Sequence, residues 1–311
     1  MPPSLPNGLV NLLRPRQWIK SGVCLAGAFF SGRIFQSHAF FRGCLATAAF
    51  CVASSFVYII NDILDRERDR KHPIKKSRPI ASGQVSIPQA LGFAAVLAVI
   101  AAAIGACLNS TVLCILGGYA LLNIAYSAAL KNLSLVDATV VAIGFILRIY
   151  AGTSAVAVSP SAWILLCTFF LALFLAFGKR RAEISAVLRQ RAALSASEEL
   201  EAPDLDISTT RGVLHKYSIV MLDRFCNICA TLTIAAYALF TVLGHANHTL
   251  IITTPPVVMG IFRYLLLVER DQEGEIPEAV LAKDWAIQFA ILVWAFLYIA
   301  ILYGGLKIDV Q

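Results

Sequence analysis

Long apolar runs, separated by short polar segments, dominate the chain and predict helices that cross a membrane. Several of these runs approach the ~20 apolar residues that a helix needs to cross the hydrocarbon core. The runs are continuous and do not alternate with polar residues, so they favour helices over the strands of a membrane β-barrel. We therefore predict an all-α membrane protein with nine spans, at residues 17–36, 39–60, 88–107, 110–127, 135–157, 161–178, 219–243, 249–268 and 284–304.

Polar residues are concentrated in a few long connections. The connections 61–87 and 178–218 each contain seven Lys or Arg residues and 263–283 contains three, whereas the connections 107–110, 157–161 and 243–249 are short and nearly uncharged. Connections rich in Lys and Arg stay on the cytoplasmic side of a membrane. The pattern therefore predicts an N-terminus inside the cell, a C-terminus outside it and a location in the plasma (inner) membrane. The span at 17–36 has the weakest pattern, because Lys20 and Arg33 interrupt it.

Composition and charge support the membrane interpretation. The chain has 311 residues, of which 58% are hydrophobic and 14% are charged, and this is too apolar for an ordinary soluble domain. Its net charge is +7, and most of its Lys and Arg residues lie in the segments that the topology places on the cytoplasmic side. No basic patch is interleaved with aromatic residues, so the charge indicates membrane topology and not a nucleic-acid partner.

We predict one domain over residues 1–311. Residues 1–16 would form a tail that lies on the membrane surface, and the connections 61–87 and 178–218 would form a cytoplasmic cap. Polar chemistry on one membrane face is expected of an enzyme that takes a charged substrate from the cytosol and a lipid from the bilayer. The sequence leaves open the oligomeric state, including a homo-oligomer.

An acidic motif follows directly on the second span. On a helix, Asp62, Asp65 and Asp69 stand at i, i+3 and i+7, so their side chains share one face. Three carboxylates so close would repel one another unless a cation lay between them. Oxygen ligands suit Mg²⁺, which proteins usually hold through carboxylates and substrate phosphates. The motif therefore predicts a magnesium site, with Asn61 assisting and with Lys75 and Arg78 offering positive charge to phosphates.

Other polar side chains lie near or within the spans. Tyr126 and Lys131 close the fourth span, where the lysine would bind a phosphate or simply end the helix. Asp137 and Arg148 share a face of the fifth span, three turns apart, and two interpretations are open, a functional site and an internal ion pair. We favour a functional role for Arg148 and a structural one for Asp137.

A second basic cluster follows the sixth span. Lys179, Arg180 and Glu183 would bind a second phosphate, with Glu183 orienting a sugar hydroxyl or helping the metal, although Lys179 and Glu183 are also spaced for a surface ion pair. Lys20 would contact a phosphate, or only extend its charge to the membrane surface.

The motif N-D-x-x-D-x-x-x-D at 61–69, followed by RPIASG at 78–83, resembles the first aspartate-rich motif of the UbiA superfamily of intramembrane prenyltransferases. That resemblance covers nearly the whole chain. It implies nine transmembrane helices and a Mg²⁺-dependent site under a cytoplasmic cap. The usual second aspartate box is replaced here by GKRRAEI, which has a single carboxylate. With this departure and with the segments RPRQWIK, YSAALK and FILRIYAG, the chain resembles the branch of the superfamily whose members use phosphoribosyl pyrophosphate.

The resemblance implies transfer of phosphoribose from phosphoribosyl pyrophosphate to a polyprenyl (decaprenyl) phosphate, a step that supplies arabinose for cell walls. Under it, Asp62, Asp65 and Lys131 would be catalytic. Asp62, Asp65 and Asp69 would hold the metal. The substrate-binding set would be Lys20, Asn61, Lys75, Arg78, Tyr126, Arg148, Lys179, Arg180 and Glu183. The alternatives are an aromatic prenyltransferase with a prenyl diphosphate donor and, in another class, a transporter or scaffold.

Overall fold

The computed structural model describes residues 5–72, 75–196, 216–244, 248–271, 280 and 283–305. Within these ranges the chain is helical and contains no strand, as predicted. Eight helical segments of the described part of the chain are long and apolar enough to cross a membrane, and they coincide with the predicted spans from the second to the ninth. The all-α membrane architecture is thus confirmed.

The α-helices are α1 Leu5–Leu13, α2 Ala26–Phe30, α3 Ser37–Leu64, α4 Arg66–Lys71, α5 Ile87–Leu108, α6 Ser110–Ala128, α7 Val136–Ala155, α8 Ala162–Ala196, α9 Ile219–Leu243, α10 Thr254–Leu266 and α11 Trp285–Leu302. Short 3₁₀ segments lie at Pro15–Leu25, Lys75–Ser77, Leu130–Asn132 and His248–Thr253, and a π-helical turn lies at Leu267–Asp271.

Two parts of the chain differ from the predicted pattern. The segment 17–36 is not a continuous span, because the 3₁₀ segment Pro15–Leu25 passes into the single-turn helix α2. Helix α8 does not end at residue 178 but continues to Ala196, so the first part of the predicted loop 178–218 is helical. Lys, Arg and Glu are good helix formers, so a charged stretch need not end a helix. The remainder of that loop, from 197 to 215, lies outside the described residues.

Capping side chains explain where several helices begin. Ser86 and Gln89 form a capping box at the start of α5, in which each side chain bonds to the other residue's backbone N–H. Asn109 separates α5 from α6, and its Oδ1 accepts a bond from the Val112 N–H at 2.8 Å. Its Nδ2 donates to the Ser154 carbonyl at 3.0 Å, which ties this turn to the end of α7.

The chain divides into two compact units. The first consists of residues 1–131 and 143–160, and the second of 132–142 and 161–311. Helix α7 contributes its first turns to the second unit and the remainder to the first.

Helix α3 is the centre of the first unit and packs against α1, α5, α6 and the segment Pro15–Leu25. Its buried positions include Ala46, Ala49 and Ala53, whose small side chains let neighbouring helices approach closely. Gly152 on α7 is packed so tightly that a β-carbon would overlap the carbonyl oxygen of Cys24.

In the second unit, α8 and α9 form the largest helix–helix contact, around Phe174, Phe177, Leu222 and Cys226. Buried charge also holds this unit together. The Arg181 guanidinium contacts the Asp223 carboxylate on α9 and donates a 2.7 Å bond to the Val268 carbonyl. Near α11, Asp284 accepts a bond from the Ile287 N–H at 2.9 Å and pairs with Arg263.

We expect Gly152→Ala to destabilise the protein by about 1–3 kcal/mol or more, because the added methyl group meets backbone that cannot move aside. Gly118→Ala on α6 is the matched control, since a β-carbon there meets no atom within 4 Å. That change should leave stability unchanged or raise it by about 0.5–1 kcal/mol. Thermal unfolding in detergent measures both, and equal midpoints for the two variants would contradict the packing argument.

Candidate active site

The aspartate motif lies where α3 gives way to α4. Helix α3 ends at Leu64, and Asp65 separates it from α4 with φ −93° and ψ 1°. The Asp69 N–H still bonds to the Asp65 carbonyl at 2.8 Å, so the helical register continues across the break. All three carboxylates are buried, with exposed fractions of 3% for Asp62, 8% for Asp65 and 2% for Asp69.

Basic side chains from separate segments of the first unit pair with these carboxylates. Arg78 bridges two of them, with its Nη1 2.7 Å from an Asp69 oxygen and 3.0 Å from Asp62 Oδ1. Lys131 Nζ lies 2.5 Å from Asp65 Oδ1. The predicted residues Asp62, Asp65, Asp69, Arg78 and Lys131 are therefore brought together in one cluster, which we call the aspartate cluster.

Two more arginines contact the cluster. Arg14 Nη2 lies 2.6 Å from Asp62 Oδ1, and Arg68 Nη2 lies 2.9 Å from Asp65 Oδ2. Sequence reasoning missed Arg14, although it is part of the quoted RPRQWIK motif. Its backbone adopts the left-handed conformation, with φ 50° and ψ 58°. A non-glycine residue in this region is uncommon and is often found at functional sites.

The metal prediction can be tested against the donor set. Among the described residues, no three His, Cys, Asp or Glu side chains are arranged to hold an ion, because basic groups lie between the carboxylates. The chemistry of the donors nevertheless suits a hard divalent cation, since three buried carboxylates stand within two helical turns. The three carboxylates fit such a cation if the side chains of Arg78 and Arg14 leave them for other partners.

The other predicted residues of the first unit occupy different places. Asn61 is half-buried in the last turn of α3, and Lys75 is half-buried at the start of the 3₁₀ turn that precedes Arg78. Tyr126 is half-buried near the end of α6, one turn before Lys131. Lys20 is half-buried within the 3₁₀ segment Pro15–Leu25.

Arg148 is buried deep in the first unit, with an exposed fraction of 5%. Its guanidinium donates to Ser54 Oγ at 3.2 Å, Tyr119 Oη at 3.0 Å and the Gly144 carbonyl at 2.8 Å. The rings of Phe50, Tyr119 and Phe145 also lie within 5.5 Å of it. Among the described residues no ion pair involves Arg148, so the internal pair with Asp137 that the shared helix face allowed is not formed.

Asp137 pairs instead with Arg180 in the second unit. Arg180 Nε donates to Asp137 Oδ2 at 2.6 Å, and the exposed fractions are 3% and 0%. The Tyr217 hydroxyl donates to Asp137 Oδ1 at 2.9 Å and accepts a 2.6 Å bond from the Leu135 N–H. Burial raises the pKa of Tyr217 to about 12, so this hydroxyl keeps its proton at neutral pH. The guanidinium of Arg180 is thus committed to a buried network.

Lys179 and Glu183 lie on α8 beside that network and are half-buried. Their charged groups are 4.0 Å apart, at the limit of an ion pair. The Glu183 Oε2 atom is buried and accepts no hydrogen bond from any described residue. A buried carboxylate oxygen that has no hydrogen-bond donor can accept a hydrogen bond from a hydroxyl group or coordinate a cation.

Comparison with known proteins indicates the family to which the chain belongs. The model of the UbiA prenyltransferase family matches residues 22–187, which include the whole aspartate cluster. The chain belongs to the UbiA prenyltransferase family. It is therefore a multi-pass membrane enzyme, as the apolar helices and the motif at 61–69 predicted.

Related UbiA proteins of known name cover nearly the full chain. It is 32% identical to a decaprenyl-phosphate phosphoribosyltransferase of Corynebacterium glutamicum, over 97% of this chain and 89% of the relative. It is 31% identical to the protein of the same name from Mycobacterium tuberculosis, over 94% and 93%.

Solved structures share the UbiA fold. A UbiA homolog from Archaeoglobus fulgidus bound to GPP and Mg²⁺ has a TM-score of 0.70 at 18% identity, covering 95% of this chain and 99% of that one. The same homolog has also been solved with Cd²⁺. At this identity the likeness establishes the fold alone.

We expect Asp137→Asn to destabilise the protein by about 3–5 kcal/mol, because it leaves the buried Arg180 charge without its partner. The double change Asp137→Leu with Arg180→Met removes both charges and should restore most of that loss. Thermal unfolding of the three proteins measures the effect. If Asp137→Asn alone unfolds like the unmodified protein, the buried pair is not structural.

Proposed function

We propose that this enzyme transfers 5-phosphoribose from phosphoribosyl pyrophosphate to a polyprenyl phosphate, decaprenyl phosphate by analogy with its relatives, and releases pyrophosphate. The observation that carries the proposal is a cluster of three buried carboxylates that pair with Arg78 and Lys131, together with a single carboxylate, Glu183, in the segment GKRRAEI. The names of those relatives supply the substrate class.

The aspartate cluster would bind the pyrophosphate end of the donor. Asp62, Asp65 and Asp69 would hold Mg²⁺, with Asn61 assisting. When bound, the cation would neutralise negative charge on the pyrophosphate and help it to leave. The donor set supports this role, because three buried carboxylates within two helical turns offer the oxygen ligands that Mg²⁺ prefers.

Basic side chains would stabilise the leaving group. Arg78 and Lys131 pair with carboxylates of the cluster, and Lys75 lies three residues before Arg78. As the donor enters, these cations would pass from carboxylates to phosphate oxygens. Preorganised positive charge of this kind stabilises the charge that develops on a departing pyrophosphate. Tyr126 would add a hydrogen bond.

Separate groups would bind the other phosphates. Lys20 and Lys179 would receive the 5-phosphate or the lipid phosphate, and Glu183 would orient a ribose hydroxyl through its unpartnered oxygen. We no longer assign a phosphate to Arg180, because Asp137 and the Ala176 carbonyl occupy its guanidinium. Arg148 keeps a proposed role in substrate binding, as a buried cation without an acidic partner among the described residues.

The reaction needs no strong base, because the acceptor phosphate is already an anion. One of its oxygens forms a bond to the anomeric carbon of ribose while the bond from that carbon to pyrophosphate breaks. Catalysis would come from alignment of the two substrates and from charge stabilisation. A single direct displacement predicts inversion at the anomeric carbon.

The membrane placement is part of the same proposal. The enzyme would lie in the plasma (inner) membrane as one domain, with its N-terminus and the aspartate cluster on the cytoplasmic side and its C-terminus outside. If the interrupted segment 17–36 also crosses the membrane, as the first span of the chain, the number of crossings would be nine. The prenyl tail would lie along the apolar helices, and the product would feed arabinan synthesis.

The deciding experiment supplies the purified protein with labelled phosphoribosyl pyrophosphate and polyprenyl phosphate. We expect pyrophosphate release that depends on both substrates and on Mg²⁺. A parallel arm with a prenyl diphosphate donor and 4-hydroxybenzoate tests the aromatic prenyltransferase alternative. Prenyl transfer in that arm, with no lipid-linked phosphoribose in the first, would overturn the proposal.

Asp65→Asn should lower turnover by about 100-fold or more, because it removes a proposed metal ligand and the partner of Lys131. Asp284→Asn is the control, since it neutralises an ion-paired carboxylate at the start of α11 and not in the cluster. Both proteins should insert into membranes normally. Turnover of Asp65→Asn within twofold of the control would remove the cluster from the reaction.

Glu183→Gln should raise the Michaelis constant for phosphoribosyl pyrophosphate while leaving membrane insertion unchanged, because the amide keeps the shape of the side chain but loses its charge. Steady-state kinetics with each substrate varied in turn gives the answer. An unchanged constant and rate would exclude Glu183 from donor binding.

A further inference from the structure

A stripe of residues along one face of α3 contacts a short segment near the N-terminus of the chain. The stripe consists of Cys51, Ser55, Tyr58 and Asp62, which stand at i, i+4, i+7 and i+11 and therefore share a helix face. Residues 13–18, which we call the N-terminal arm, contact every member of it. Only the last member belongs to the proposed metal site.

Ser55 is the main anchor of the arm. Its hydroxyl is fully buried and lies 2.8 Å from the Leu13 carbonyl and 3.0 Å from the Cys51 carbonyl, so its proton is shared between them. It also accepts a 3.0 Å bond from the indole N–H of Trp18. One small side chain thus fixes the arm at both of its ends.

Arg14 lies between these two anchor points. Its left-handed backbone, with φ 50°, is unfavourable for a residue that has a side chain, and it persists only where the surroundings hold it. In this conformation the guanidinium lies 4.9 Å from the centre of the Tyr58 ring, and Nη2 reaches Asp62 at 2.6 Å. The hydrogen bonds on either side of Arg14 therefore maintain the strained backbone conformation that directs its guanidinium towards the aspartate cluster.

We propose that Ser55 is a positioning residue, which fixes the N-terminal arm so that the Arg14 guanidinium stays at the aspartate cluster and supports binding of the donor. The inference rests on the proposed function, because the cluster is the proposed pyrophosphate site. Without the hydroxyl, the Leu13 carbonyl and the Trp18 N–H lose their shared partner. Arg14 can then relax to an ordinary backbone conformation, and the cluster loses one of its cations.

If Ser55 positions Arg14, the effects of the two residues on donor binding must not be independent. We expect Ser55→Ala and Arg14→Gln each to weaken donor binding about tenfold, the size of one charge-assisted hydrogen bond. The double variant should bind no more than about tenfold more weakly than the unmodified protein, because Ser55 acts only through Arg14. The Michaelis constant for the lipid acceptor should not change.

Thr47→Val is the matched control. Thr47 lies on the same helix, and its hydroxyl donates to the Gly43 carbonyl at 2.9 Å, as Ser55 does to the carbonyl four residues before it. Among the described residues, no hydrogen bond joins its side chain to the N-terminal arm. A general effect of removing a hydroxyl from α3 would therefore occur in both Thr47→Val and Ser55→Ala, whereas a positioning effect would occur only in the latter.

The test measures equilibrium binding of labelled phosphoribosyl pyrophosphate with Mg²⁺ to the purified proteins, together with their thermal unfolding. Support is weaker binding in Ser55→Ala, a non-additive double variant and a normal Thr47→Val. Additive losses of about 100-fold, or equal binding by Ser55→Ala and the control, would overturn the inference. Should Ser55→Ala not fold, Trp18→Phe removes the other bond and must weaken binding in the same direction.

This design separates the two proposals. If the unmodified protein binds no phosphoribosyl pyrophosphate, the proposed function fails and the positioning role fails with it. If the unmodified protein binds the donor and Ser55→Ala binds it equally well, only the positioning role fails.

Discussion

The burial of three carboxylates at the end of an apolar helix is the constraint on which the first unit depends. Removing a charged group from water costs several kcal/mol unless a partner compensates it. Asp62, Asp65 and Asp69 therefore require cations, and the fold supplies them from distant parts of the sequence. Arg14 comes from the N-terminal arm, Arg78 from the connection after α4, and Lys131 from the 3₁₀ segment that follows α6.

Carboxylates that are paired with basic side chains can be buried stably, and such a site can still bind a highly charged donor. Under the proposed function, a divalent cation takes the carboxylates as the basic side chains turn to phosphate oxygens. Every charge then has a partner before and after binding, so the exchange leaves no buried charge uncompensated. The site can in this way discriminate in favour of a donor that brings both a cation and several phosphates.

Sequence predicted the features that depend on local pattern. The apolar runs located eight of the helices, and the spacing of the aspartates together with the basic residues after them identified most of the cluster. The partners of charged residues were harder to infer. Asp137 pairs with Arg180, 43 positions away, and not with Arg148 on its own helix face. Helical spacing identifies neighbours within one element only, and so it also missed the contact of Arg14 with Asp62, 48 positions away.

The extent of α8 shows a second limit of the same kind. The charged residues from Lys179 to Glu183 indicated the end of a span, yet the helix continues, and Arg180 and Arg181 pair with Asp137 and Asp223. A sequence shows that a residue is charged but not whether the fold will bury that charge with a partner. The roles of individual cations in phosphate binding stay predictions for the same reason.

The most direct test of the account is an experimental structure of the protein with Mn²⁺, as a heavier substitute for Mg²⁺, and phosphoribosyl pyrophosphate. The account predicts Mn²⁺ bound by oxygens of Asp62, Asp65 and Asp69, with the Arg78 guanidinium moved from these carboxylates to a phosphate of the donor. A donor-bound structure in which Arg78 still bridges Asp62 and Asp69, with the cation bound elsewhere, would contradict it.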